Sequence, residues 1–446
     1  MSVSISPYSM QRIEYYEINR TINEHDTAII RGEMSELEYC KCQNMLDSST
    51  ILSVYYDATL IFAGEVTSLK VLSVGQSLQV ELLMKGITFT LDMINCKRDY
   101  QNIAKTLYKL IDGIFEGYKN INYKKECKDE TIEKFLVQYE ETDYAFLCRL
   151  LADYKGPIYT QMTGDQGRIC LGLKEESKND KKKKISVHTY EISYEPDMTY
   201  IIHSNDFLDV AEMVQAFERE LYIKKIKLMC ADGVISNTYY LAERDSMSVE
   251  KIKNNELIGV SFDGEIKDRQ RDKVQIELNG MAETLENERR WFSYASPASS
   301  SDGGGWYCMP EIGEEIRLYF PTEDESEAYV ISAIKSGNDS SSGGEPMDSA
   351  NKILSNAAGQ SVSFTENGVA MNCADGTSMT LNPEGTIEIF ALNDVNILSD
   401  SLVKIKSDNT IDLNAGGKVT ISTDTGASIE FTQNILVNAN RIKNNG

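Results

Sequence analysis

The chain has 446 residues, enough for about three to four domains of ordinary size. With 41% hydrophobic and 26% charged residues it is not a disordered chain. Its formal charge of −24 excludes a nucleic-acid binder, which needs clustered Lys and Arg to displace counterions, and excludes electrostatic attachment to an anionic membrane. Nine cysteines, an odd number with no CxxC spacing, read as free thiols in a reducing compartment. Cys40 and Cys42 form a CxC pair, but the chain holds only three histidines, His25, His188 and His203. The pair therefore reads as two strand residues facing one side rather than as a zinc site.

The N-terminal MSVSISPYSMQRIEYYE has no basic start followed by an apolar core, so no secretory signal is expected. No stretch reaches 18 apolar residues, the length of a membrane-spanning helix. Residues 1–95 alternate apolar and polar, as in SSTILSVYYDATLIFAG and SLQVELLMKGITFTL, and predict a first β-barrel or curved sheet. Residues 96–160 predict a helical insertion. Its first helix, over 99–118, aligns Ile103, Leu107, Leu110, Ile111 and Ile114. Thr131 to Phe135 open another short apolar stretch. A second helix, over 141–156, has Thr142 or Asp143 as N-cap and buries Phe146, Leu147, Leu150, Leu151 and Tyr154, ending at Gly156-Pro157. Strand patterning returns over 161–244 as a second barrel region. It is interrupted by the lysine-rich exposed loop EESKNDKKKK and by one more helix over 206–222.

Residues 245–335 predict five strands with tight turns, the number and spacing of an oligonucleotide/oligosaccharide-binding (OB) barrel. Its acidic segment GEEIRLYFPTEDESE would repel a phosphate backbone, so the barrel is expected to be structural. Residues 336–347 read as a Gly/Ser linker. GxSxG, HExxH, P-loop and EF-hand patterns are absent, so no enzyme is expected. Glu140, Glu141 and Asp143 are read as capping carboxylates at a helix start rather than a glycosidase pair. Gly303-Gly304-Gly305 reads as a strand turn.

From residue 348 onward an eight-residue repeat takes over. Its apolar pairs are Met371/Cys373, Met379/Leu381, Ile387/Ile389, Val395/Ile397, Val403/Ile405, Ile411/Leu413 and Val419/Ile421. Two apolar residues one position apart mark a strand with one buried face. An octad gives about five strand residues, roughly 16 Å, plus a corner, which is one side of a triangle and too short for a full coil of a single-chain β-helix. Taking one side from each of three chains closes the triangle. The expectation is an intertwined homotrimeric β-helix, or β-prism, over 348–446, with the pairs from Met379 to Ile421 facing inward.

This order of parts resembles the central spike of contractile injection machines: the VgrG spike of type VI secretion, phage hub and spike proteins, and related extracellular particles. VQYEETDYAFLCRLLADYKGPIY is similar to the family's helix segment. The stretch 272–334 is similar to the spike OB domain, with Trp291, Trp306, Pro310, Gly313, Glu314 and Tyr329 at its structural places. The resemblance implies a mainly β chain with helical insertions: two barrel-like hub domains, an OB barrel and a trimeric spike. It implies a non-enzymatic, membrane-puncturing homotrimer that caps a hexameric inner tube, contacts baseplate proteins and touches the target membrane transiently. Such a protein would assemble in the bacterial cytoplasm, or on a phage or particle baseplate, and leave the cell by contraction. No histidine follows His203, so the His-x-His iron site of many spike tips cannot form. The linker leaves no room for the lysozyme domain of some phage spikes. The octad period slips after Ile421, and Ile435, Val437 and Ile442 are the expected seat of a PAAR-like tip protein or effector. A trimeric phage fibre or adhesin is the alternative class; it would need a receptor-binding head beyond the prism.

Overall fold

The computed structural model describes residues 3–43, 50–74, 77–175, 183–195, 197–231, 233–282, 284–295, 298–299, 305–306, 308–332, 351–356, 358–426 and 428–431. Two units are compact by themselves, Met1–Ser336 and Gly337–Gly446.

Alternating residues build a first set of six strands: β1 (Val3–Ser6), β2 (Arg12–Thr21), β3 (Thr27–Met34), β4 (Leu52–Tyr56), β5 (Thr59–Val74) and β6 (Ser77–Gly86). Helix α1 (Glu36–Gln43) separates β3 from β4 and carries Cys40 and Cys42. The CxC pair is thus helical, not a strand face; acidic Glu36 and Glu38 in the first turn favour the helix dipole. A second set of six follows the insertion: β12 (Lys183–Lys184), β13 (Thr189–Ser193), β14 (Thr199–Ser204), β15 (Met213–Ala216), β16 (Arg219–Ala231) and β17 (Val234–Ala242).

The twelve strands form one sheet. In the first half the order is β1-β4-β5-β6-β3-β2, and in the second β12-β15-β16-β17-β14-β13. The two orders are the same once the strands of each half are counted from its start. Only the outermost pair differs: β1 runs antiparallel to β4, whereas β12 runs parallel to β15. The halves join where β2 pairs antiparallel with β16. Inward residues Tyr16, Ile18, Ile30, Phe62, Leu82, Ile202, Ile226, Leu228 and Tyr239 form the shared core. The expected helix over 206–222 is instead the end of a loop, β15 and the start of β16. Val214, Ala216 and Leu221 are buried at strand period, and that periodicity overrides local helix propensity.

The insertion holds β7 (Asn95–Tyr100), α2 (Leu107–Phe115), β8 (Tyr123–Lys125), β9 (Leu136–Thr142), α3 (Asp143–Ala152), β10 (Ile158–Gln161) and β11 (Arg168–Leu171). Helix α2 is shorter than the 99–118 periodicity suggests, because residues up to Tyr100 pair with β9. Ile103 therefore lies outside the helix and is exposed, while Leu107, Leu110, Ile111 and Ile114 are buried. Helix α3 is capped by the Thr142 side chain, which accepts from the Ala145 amide at 3.1 Å, and buries Phe146, Leu147, Leu150 and Leu151.

The OB barrel uses β18 (Ser261–Gln270), β19 (Lys273–Leu278), β20 (Trp291–Ser293), β21 (Ala298–Ser299), β22 (Gly305–Trp306), β23 (Glu315–Tyr319) and β24 (Tyr329–Ser332). Its sheet runs β20-β19-β18-β23-β24. A parallel bridge between Tyr294 and Val330, with the Ala295 amide donating to Val330 O at 2.8 Å, joins the two ends. Closure of that kind removes open edges.

In the second unit, β25 (Lys352–Ser355), β26 (Ser361–Thr365), β27 (Gly368–Asn372), β28 (Ser378–Leu381) and β29 (Ile387–Phe390) form an antiparallel meander, and β30 (Val419–Ser422) pairs with β31 (Ser428–Phe431). Gly368 has φ +108, and a Cβ there would sit 2.0 Å from Leu381 O, so the β26–β27 turn requires glycine. Residues 391–418 are described but form no strand ladder. The expected linker over 336–347 and the expected tip seat at Ile435, Val437 and Ile442 lie outside the described residues.

Candidate assembly surfaces

Register places the octad pairs on one face of the meander. Leu354, Val362, Met371, Met379 and Ile389 stand in one cross-strand row. Phe364, Val369, Leu381 and Ile387 stand in the next apolar row. Between them runs Ser363, Ala370, Thr380 and Glu388, on the other face. Among the described residues the apolar face is largely uncovered: Phe364 is 55% exposed and Ile387 63%. The same holds along 391–418, where Val395, Ile397, Val403, Ile405, Ile411 and Leu413 are all exposed, as is Ile421 on β30. Met379 and Val419 are half-buried. Soluble chains rarely leave a continuous apolar surface of this kind open to water, so it marks a contact surface.

A second surface is internal. Strand β9 has Leu136 in the core of the insertion, while Phe135 and Val137, on the other side, sit in the core of the OB barrel. The Phe135 ring meets Phe292 edge-on at 5.0 Å, and Tyr139 meets Phe262 at 5.1 Å. Around this seam Arg149 of α3 is buried. It donates to Glu141 from Nε at 2.8 Å and from Nη2 at 2.9 Å, and to Glu325 of the barrel from Nη1 at 2.7 Å. Asn254 donates to Tyr139 O at 2.8 Å, and Gln101 accepts from the Arg290 amide at 3.1 Å. The cap of α3 is Thr142, with Asp143 in the first turn, and two of the carboxylates there also hold ion pairs. Asp143 is buried and pairs with Arg98 at 2.6 Å while accepting from Tyr118 at 2.8 Å, and Glu141 serves Arg149.

A third group of buried charges pins the two half-sheets to the insertion. Arg20 pairs with Asp26 at 3.1 Å and with Asp209 at 2.5 Å, and donates to Thr160 O at 2.6 Å. Burial pushes the Asp26 carboxyl up to about 6 despite its partner. At the β2–β16 junction, Glu17 faces Lys227 at 3.1 Å. Hydrogen bonds from Tyr15 and then Asn19 hold Glu17 down at about 2.

Of the OB residues singled out by sequence, Trp291 is half-buried on β20, Pro310 is buried with its carbonyl accepting from Arg269 at 3.0 Å, and Gly313 has φ +91 in the turn before β23. Trp306 lies on β22 opposite Ala298. They lie on separate turns and strands of one barrel. The residues that sequence reasoning missed are Phe135, Arg149 and Glu325, which bind insertion to barrel. Alternation through 135–137 was the available signal. Among the described residues no group of three or more His, Cys, Asp or Glu side chains could hold a metal ion. No helix among them is long and apolar enough to cross a membrane.

Residues 263–334 match the type VI secretion system/phage-baseplate injector OB domain family. None of the curated proteins matches the chain. Among solved structures, the E. coli c3393 protein superposes with TM-score 0.55 at 12% identity over 74% of this chain and 99% of its own. That protein is described as a type VI secretion component with structural similarity to the T4 phage tail proteins gp27 and gp5. The Francisella PdpA–VgrG complex, in its lidded form, superposes with TM-score 0.59 at 10% identity over 85% of this chain and 76% of its own. The OB domain is that of the injector family, and the fold is that of hub and spike proteins of contractile machines.

Proposed function

We propose that the chain is a homotrimeric hub and spike of a contractile injection machine. The observation that carries this reading is the apolar face of the octads. Among the described residues it is largely uncovered from Phe364 to Ile421, and two further copies would bury it as a dry axial stack. β-branched Val and Ile suit such a stack because they are stiff and pack well on a pleated surface. The two half-sheets per chain would make six in a trimer, matching a hexameric inner tube, and baseplate proteins would pack around them. The region beyond Phe431 would carry a PAAR-like tip protein or effector, and the spike would meet the target membrane only during contraction. Loading in the bacterial cytoplasm and export by contraction complete the reading; the role is mechanical rather than enzymatic.

Light scattering on the purified chain tests it. The expected mass is three times the 50.1 kDa of one chain, and weaker association is expected once the octads are removed after residue 346. A monomer with intact β structure would sink the reading.

A further inference from the structure

The two half-sheets repeat more than their strand order. Counting across the first half, Tyr16, Ile30, Leu82 and Leu69 lie in one register row through β2, β3, β6 and β5. In the second half, Tyr190, Ile202, Tyr239 and Ile226 form the same row through β13, β14, β17 and β16. Both long hairpins carry an irregularity at the matching place, around Thr67 and around Lys224. The tripeptide Tyr-Glu-Ile occurs at matching positions, 16–18 and 190–192. The rows through these four strands of one half therefore have counterparts in the other.

That correspondence makes an asymmetry visible. In the second half, Lys225–Ala231 of β16 is paired on both edges, by β17 and by β2. Its counterpart, Ser68–Val74 of β5, is paired only by β6 among the described residues. The counterpart of β2 is β13, the last strand of the sheet. So the chain has one used junction and, at its two ends, the halves of a second, unused one. Burial follows the same logic. At the used junction Tyr16 and Ile18 are 0% exposed, whereas their counterparts differ: Tyr190 is 57% exposed and Ile192 half-buried. Charge agrees too. Glu17 pairs with Lys227 across the junction. Their counterparts, Glu191 and Lys70, are exposed and have no ionic partner among the described residues.

We infer that β13 of one copy adds to the free edge of β5 of the next, repeating between chains the junction that β2 and β16 make within one. The register follows from the repeat: Ile192 opposite Val71, Glu191 opposite Leu72, Ser193 opposite Lys70, with Glu191 ion-paired to Lys70. The contact is head to tail, with different surfaces meeting; in the proposed trimer three copies close into a ring and both edges disappear. The inference deepens the trimeric hub reading and rests on it.

Disulfide trapping in the full chain tests it. Two double variants are made, Glu191→Cys with Leu72→Cys, and Ile192→Cys with Val71→Cys. Adjacent antiparallel pairs alternate between about 5.5 and 4.5 Å Cα separation, within reach of a disulfide. After oxidation, a covalent ladder ending at three chains is expected from at least one double variant and from none of the single variants. Lys70→Glu should cut the yield when added to the Ile192/Val71 pair, and Glu191→Lys should restore it. If light scattering gives a trimer but neither pair cross-links, the strand pairing is wrong while the spike reading stands. A monomeric mass without cross-links overturns both.

Discussion

Glu17 accepts hydrogen bonds from Tyr15 and Asn19 and faces Lys227, which together hold its carboxyl at about 2. A carboxylate depressed on folding contributes stability that is complete above its unfolded pKa and is lost as pH falls through the folded one. The junction between β2 and β16 should therefore lose this contribution between pH 4.5 and about 2. Urea midpoints of the natural chain and of Glu17→Gln should differ at neutral pH and converge as the pH drops through that window. A constant difference would mean that Glu17 acts through packing alone. Arg149 makes a different prediction. Arg149→Met removes the cation between Glu141 and Glu325 and leaves two poorly hydrated carboxylates without it. Breaking a buried pair from one side costs about 3–5 kcal/mol. Denaturant unfolding should show that loss at neutral pH, and Arg149→Lys should recover only part of it, because an ammonium cannot bridge Glu141 in two-pronged fashion.

At the scale of elements, β9 is the strand on which the insertion and the barrel both depend. Phe135→Ala should cost about 3–5 kcal/mol, as for other buried aromatics. The loss should show in the barrel first, read as earlier hydrogen exchange in β18 and β19 than in α2 and α3. Equal loosening of all four would deny that Phe135 belongs to the barrel core. The sequence made α3 and the five barrel strands legible because their periods are regular and their ends carry Thr142, Gly156 and Gly313. It hid the residues that join them. Arg149 reads as one polar position on an apolar helix, and its partner Glu325 lies 176 residues away in an acidic turn. The window 206–222 holds a loop, β15 and the start of β16, too short a stretch for its apolar residues to separate helix from strand period. The start of α2 falls later than the periodicity suggests, and nothing local announces that Tyr100 pairs with Leu136.

At the scale of the whole molecule, the octads were the most legible feature of the sequence and are the least complete structure in one chain. Their period and apolar positions come from local alternation, while the described residues of one chain leave most of those positions exposed. In the proposed trimer, Val403→Asp would set three carboxylates close together on the axis, where unpaired buried charge costs several kcal/mol. Analytical ultracentrifugation should show dissociation of the variant at concentrations where the natural chain stays associated, with recovery at pH below the aspartate range. An intact trimer at neutral pH would place Val403 outside the axis.

The sharing of β9 also limits how such a protein can be recombined. A cut at residue 245, where the barrel's own sequence begins, would leave Phe135, Val137 and Tyr139 behind with the donor of the hub. The transplanted barrel would arrive with a hole where Phe292 and Phe320 expect an aromatic ring. A working graft has to carry residues 135–142 along with 245–335, together with the α3 arginine that clasps Glu325. Exchange between relatives is thus hardest at the border that the linear sequence makes look most natural.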